Sequence, residues 1–175
     1  MKRCIPTLLL ILLAALSGCL PSTVEPMVYE QNRGLPESWL GEWQYVPKPD
    51  ESPGSCGRLP VLLMGKAGSD WYAEAANCGE SFSGRFTASR VPGTDIRAVS
   101  FPVFTIADGD RSTEFKNVFF LIQSDGDRLY CWDLLNAEVG VTPWRVADVK
   151  KWLAKKADLL RTDKAGLVFQ RTKTE

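Results

Sequence analysis

Phe115-Lys116-Asn117-Val118-Phe119-Phe120-Leu121-Ile122-Gln123, then Ser124-Asp125-Gly126-Asp127, then Arg128-Leu129-Tyr130-Cys131-Trp132-Asp133-Leu134-Leu135 is the stretch that decides the fold. Two runs rich in aromatic and aliphatic residues flank one Asp-Gly pair. Such a pair is the strongest short-range hairpin signal, because a type I′ turn needs positive φ at both central residues. The reading is two antiparallel strands, 115–123 and 128–135, joined by a tight turn. Both carry large apolar residues at odd and even positions alike. Each should therefore lie between the core and a second covering layer.

Upstream the same period recurs. In Trp39-Leu40-Gly41-Glu42-Trp43-Gln44-Tyr45-Val46, Trp43 and Tyr45 point one way and Glu42 and Gln44 the other, as in a half-buried strand. Residues 47–58 hold Pro47, Pro49 and Pro53 and read as a loop. Further strands are expected over Leu59–Met64, Trp71–Ala76 and Ser81–Ala88, with a turn over Gly65–Ser69. The Ser81–Ala88 run alternates cleanly, placing Phe82, Gly84, Phe86 and Ala88 on one face. Pro92-Gly93 turns the chain into a strand over Asp95–Phe101. Pro102 ends that strand or marks an edge, with Phe104–Ile106 as a continuation after a break.

Downstream one helix is expected. Thr142 can cap it and Pro143 fits its first turn. Val146, Val149, Leu153 and Leu160 recur at helical spacing beside Trp152. Arg145, Lys150, Lys151, Lys155 and Lys156 read as its solvated face, with a resting place on anionic lipid as the functional alternative. A last strand covers Leu167–Arg171 and residues 172–175 form a frayed end. About eight antiparallel strands with hairpin spacing and one late helix predict a mostly β chain, an up-and-down barrel whose closure removes exposed edges.

The first residues carry a different signal. Lys2 and Arg3 precede an apolar run from Thr7 to Leu16, shorter than the ~20 residues that span a bilayer. Leu16-Ser17-Gly18-Cys19 resembles the lipobox of bacterial lipoproteins. The resemblance implies a signal peptide over 1–18, a lipid joined to the Cys19 thiol, and cleavage just before it. Residues 19–38, with Pro21, Pro26 and Pro36 and no apolar period, are then the lipidated Cys and a flexible tether to a single domain over 39–171. Leu20 is not the Asp that retains such proteins at the inner membrane of enteric bacteria. The implied place is the outer membrane, lipid-anchored, with the domain in the periplasm.

Gly41-x-Trp43 resembles the strand that opens lipocalins and lipocalin-like barrels, and the late helix before a last strand is also like them. Their Thr-Asp-Tyr motif has no counterpart here. The resemblance implies that Trp43 sits at the closed end of the barrel with a basic side chain across it, either Arg128 or Arg171. The chain is similar as well to a group of envelope lipoproteins with a G-x-W strand soon after the lipobox.

Composition excludes several chemistries. Without residues 1–18 the chain keeps 157 residues, with 19 basic against 21 acidic side chains, a net charge of −2. That balance gives no footprint for nucleic acid. The chain has no His, which removes Ser-His-Asp and Cys-His nucleophile pairs, HExxH zinc sites and His-ligated haem. Asp108-Gly109-Asp110 and Asp125-Gly126-Asp127 fail as calcium loops, since neither has Gly at the sixth and Glu at the twelfth position. They read as hairpin turns, and no metal or cofactor is expected.

Of five cysteines, Cys4 lies in the signal and Cys19 takes the lipid. Cys56 and Cys78 both lie in Gly-, Ser- or Asn-containing loops facing an oxidising compartment, and are expected to pair. Closing that loop stabilises by ~3 kcal/mol in the chain-entropy model. Cys131, between Tyr130 and Trp132, is expected as a buried thiol acting as a small hydrophobe.

A non-enzymatic binding module follows, with a small apolar ligand among Trp43, Tyr45, Phe82, Phe86 and Phe119. The other expectation is an accessory lipoprotein with a filled barrel that docks on an envelope protein partner. An open apolar interior favours the first and a packed one the second.

Overall fold

The computed structural model describes residues 20–29, 33–48, 59–77, 79–132, 143–156 and 160–172. Eight strands run in order: β1 Gly41–Tyr45, β2 Val61–Ala67, β3 Asp70–Asn77, β4 Glu80–Arg90, β5 Arg97–Asp108, β6 Arg111–Asp125, β7 Arg128–Trp132 and β8 Leu167–Arg171. One helix, α1 Val146–Lys156, precedes β8. Each strand pairs antiparallel with the next, and β8 pairs with β1 through Trp43↔Arg171 and Tyr45↔Phe169, so the sheet closes. This is the expected eight-stranded barrel with a late helix.

Several details differ from expectation, each for a physical reason. The turns after β2, β5 and β6 are two-residue loops led by Gly68, Gly109 and Gly126, with φ of 65°, 55° and 58°. Asp127 does not share the positive φ. Glycine at the first loop position alone belongs to the type II′ hairpin, so the Asp125-Gly126 turn is not the expected I′. The β6 strand begins at Arg111 rather than Phe115, because the polar residues 111–114 ladder against β5 beyond the core.

β5 runs unbroken through Pro102. The pairing with β4 shifts between Ser83 and Thr87, whose partners are Thr105 and Ser100, so β5 carries one more residue than β4 across that interval. Proline fits such a bulge because no ladder bond there needs its missing N–H. Gly84 lies in the same interval. A Cβ on it would come within 2.8 Å of both Phe101 Cδ1 and the Val103 carbonyl oxygen. The absent side chain is therefore filled by the Phe101 ring and leaves no room of its own.

The two faces of the sheet feed two cores. Val118, Phe120 and Ile122 of β6 pack into the barrel interior, while Phe119 and Leu121 face outward. The outer cluster is covered by α1 through Val146, Val149 and Leu153, and by Met27 and Trp144. This is the second layer that the doubly apolar strands require. Leu160 lies beyond the end of α1 and packs on the same cluster.

The described part of the expected tether is not a tether. Residues 20–29 lie along the barrel. Among the described residues β7 pairs with β6 from Leu121 to Asp125 and not along the other half of that edge. Residues 21–23 occupy it: Phe119 N donates to Pro21 O and Thr23 N to Asn117 O, both at 3.0 Å. Met27 N and Tyr29 N then donate to the hydroxyls of Ser100 and Ser89. Further on, Arg33 bridges Ser89 where β4 outruns β3. Hydrogen bonds to the strand edges of β6 and β4 hold this path. The expected helix cap Thr142, the end of the expected strand at 133–135, residues 173–175 and the expected Cys56–Cys78 pair lie outside the described residues.

Gly84→Ala is expected to destabilise the barrel by about 1–3 kcal/mol, the usual cost of overpacking. A fall in the urea midpoint without change of slope is the measurement. An unchanged midpoint would show that Phe101 yields without penalty.

Candidate functional site

The barrel interior holds a cavity of about 70 Å³ whose lining atoms are apolar. Its shape follows from which side chains alternate inward. On one side, β4, β5 and β6 send in rings: Phe82 stacks on Phe104 at 5.2 Å between centroids, and Phe101 meets Phe104 edge-on at 5.2 Å. Phe86 and Phe120 extend this wall, each within 6 Å of Phe101. Facing rings of this kind attract beyond their buried area. Beside this wall β3, paired with β4, supplies only Ala73 and Ala75, with Leu62 and Met64 of β2 next along the sheet. Large rings beside methyl groups leave the void. Tyr45 and Phe169, in edge contact at 5.8 Å across the β1–β8 closure, complete it.

The expected site residues divide three ways. Tyr45, Phe82 and Phe86 line the cavity together. Trp43 is fully buried but lies off the lining, at the end of the barrel closed by Trp39. Its Nε1 donates to Trp39 O at 3.0 Å, and the Arg171 guanidinium stands 4.3 Å over its ring. Arg171 also donates to Leu40 O, whereas Arg128 binds Gln170 at the surface. Of the two basic candidates Arg171 is the one across Trp43. Phe119 is misplaced by one residue: it packs outside against Trp144 at 6.0 Å, and Phe120 takes the inward position. A one-residue change of parity exchanges the faces of a strand, and β6 is apolar at both. Cys19 lies outside the described residues.

Phe101, Phe104 and Phe169 carry no site signal in the sequence pattern, nor do Ala73 and Ala75. The signal for the rings was the β4–β5 pairing itself, since Phe82↔Ile106 puts Phe104 two residues along the same inner face. Cys131 is buried and lines the cavity from β7.

Chemically the lining offers dispersion contacts and no carboxylate, amine or guanidinium. Among the described residues no three acidic or Cys side chains come together to hold a metal. The charged groups lie elsewhere. At the closed end Arg97 donates to Gly34 O at 2.7 Å and stands over Trp39, its pKa lowered by burial and by Arg90. Glu80, beside Asp108 in the β4–β5 ladder, has its pKa raised by partial burial and by that carboxylate. On the outer face Lys150 is half-buried, donating to Val28 O at 2.5 Å with its ammonium 4.7 Å over the Tyr29 ring. Arg145, Lys151, Lys155 and Lys156 remain exposed.

Fold and cavity together define the class: an antiparallel eight-stranded barrel around a small apolar chamber, with a helix laid on its outer wall. No protein-family model, curated protein or solved structure matches the chain.

Burial raises the Tyr29 pKa to about 12. A folded-state pKa above the unfolded value of 10.0 contributes stability below pH 10, and that stability is lost as pH rises from about 10 through 12. Phenolate absorbance should therefore contain a late-ionising component that Tyr29→Phe removes, and the variant should flatten the loss of stability over that window. A late component unchanged by Tyr29→Phe would contradict the burial.

Proposed function

We propose that the protein is a lipid-anchored envelope protein whose barrel binds a small apolar molecule without transforming it. The observation that carries this reading is the apolar chamber lined by the Phe rings of β4–β6 and, beside them, the alanines of β3. Sites for small molecules are concave and mostly apolar, and they use few polar groups for orientation. The volume bounds the ligand. An engineered cavity of ~150 Å³ admits benzene, and this one is about half as large. It suits the thin end of a linear alkyl chain better than a fused ring system. The absence of His from the chain and of charged groups from the lining supports binding over catalysis.

The anchor is the second half of the proposal. Leu16-Ser17-Gly18-Cys19 supports lipidation at Cys19, and Leu20 in place of Asp supports the outer membrane. Radiolabelled palmitate is expected to enter the wild-type protein and not Cys19→Ala. Equal labelling would remove the anchor.

Ala75→Leu tests the chamber. Ala75 is buried between Leu62 and Phe82 in the ladder, so a larger side chain there fills the void. The variant is expected to stay folded while losing at least ~tenfold in affinity for a fatty acid, equivalent to ~1.4 kcal/mol. Calorimetric titration with fatty acids of graded length reads this. The ring-filled interior and modest void favour a second reading, an accessory protein that docks with its barrel packed. Under that reading no fatty acid binds the wild type, and Ala75→Leu alters stability alone.

A further inference from the structure

We propose that the barrel lies directly on the bilayer with its β5–β6 flank against the lipid, instead of hanging from a tether. The inference rests on the reading of Cys19 as the lipidated residue.

Leu20 is 5% exposed and packs with the interior cluster. Ser22 pairs with Val118, whose side chain faces inward, and two-residue alternation places Leu20 on the same side. On the other side of this strip Trp144 N donates to Ser22 O, and Val24 N to Trp144 O, both at 2.9 Å. Residues 21–24 are thus bonded on both edges, to β6 and to Trp144. One peptide unit, ~3.8 Å, separates Leu20 from the anchor residue. A flexible linker of the length of 19–38 would have allowed a reach of ~25 Å. The seated strip removes that reach, so the lipid is fixed at the barrel wall.

The surface at the other end of the strip, about 13 Å along it from Leu20 at ~3.3 Å per residue, suits a bilayer contact as well. Among the described residues the exposed large apolar side chains are Val24 at 64%, Val103 at 44% and Leu63 at 38%. Val24 and Val103 share one flank: Asn117 Nδ2 donates to Val24 O, and the next residue, Lys116, pairs with Val103. Pro102 is exposed beside them. Lys116 and Glu25 leave the patch without net sign, so its contact with lipid is apolar and should persist at high salt. Leu63 lies on β2, separated from β5 by two strands, and faces away from this flank.

The test uses the full lipidated chain in vesicles of phosphatidylethanolamine and phosphatidylglycerol containing brominated lipid. An environment-sensitive fluorophore is placed at Val103→Cys or Leu63→Cys, with wild type carried through the same labelling as the blank. Quenching is expected to be several-fold stronger at 103 than at 63. A Gly/Ser insert of ~12 residues between Cys19 and Leu20 should reduce the quenching at 103, since the linker restores reach. Equal quenching at the two positions in palmitate-labelled protein overturns the docking inference and leaves the anchor intact. Undiminished quenching with the insert overturns the role given to the strip. Palmitate entering Cys19→Ala as well as wild type overturns the anchor reading itself.

Discussion

Closure of the sheet by β8 is the constraint on which the rest depends. Arg171 N donates to Asp127 O on one side, and Thr172 N to Glu42 O on the other. Without this strand β7 and β1 would both present open edges, and the interior would be accessible through the gap. The join is between segments distant in the chain: Arg171 reaches the Leu40 carbonyl across 131 residues. Its guanidinium then covers Trp43, so the closing strand also seals one end of the barrel. Pairing of such long sequence separation forms at high entropic cost. That makes β8 the natural last step of assembly, after the local hairpins β2–β3, β5–β6 and β6–β7.

Once the sheet is closed, the chamber is set by side-chain sizes on the inward parity of each strand. The β4–β5 bulge turns Phe101 over Gly84 and aligns it with Phe104, concentrating the rings on one half of the interior. The small residues of β3 then lie beside them without filling the space. A barrel of eight strands is only just wide enough for its own side chains. The alanines, and not any large opening, account for the void.

The architecture was legible from the alternation of Trp43 with Tyr45, of Phe82 with Phe86, and from Asp125-Gly126. Hairpin spacing and one helical run are local properties, and local patterns survive in a fold built from neighbouring strands. Three of the proposed ligand contacts, Tyr45, Phe82 and Phe86, follow from clean alternation in β1 and β4. Phe119 failed because β6 is apolar on both faces, so periodicity alone assigns no inside. The assignment needs the continuous register with β5 and the inner face of β5, which the bulge against β4 sets and Pro102 marks only ambiguously. Residues 20–29 failed for a related reason. Their backbone has no period of its own, because it fills the edge of β6 and the wall beside β4 and adopts whatever geometry those edges impose.

Two layers sharing one strand have a mechanical consequence. Phe120 of β6 touches the chamber while Phe119, next to it, supports Trp144 and the helix. The strip at 21–24 hydrogen-bonds to the same part of β6 and to the residue that Phe119 supports. Anything that moves Phe120 must therefore shift the β6 backbone beneath the strip or be absorbed by its own χ angles. Close-packed interiors transmit such displacements and do not damp them. A ligand entering the chamber against the Phe wall and an anchor held by the neighbouring backbone would then share one structural element. The chamber and the outer strip thus meet on a single strand whose two faces serve different cores.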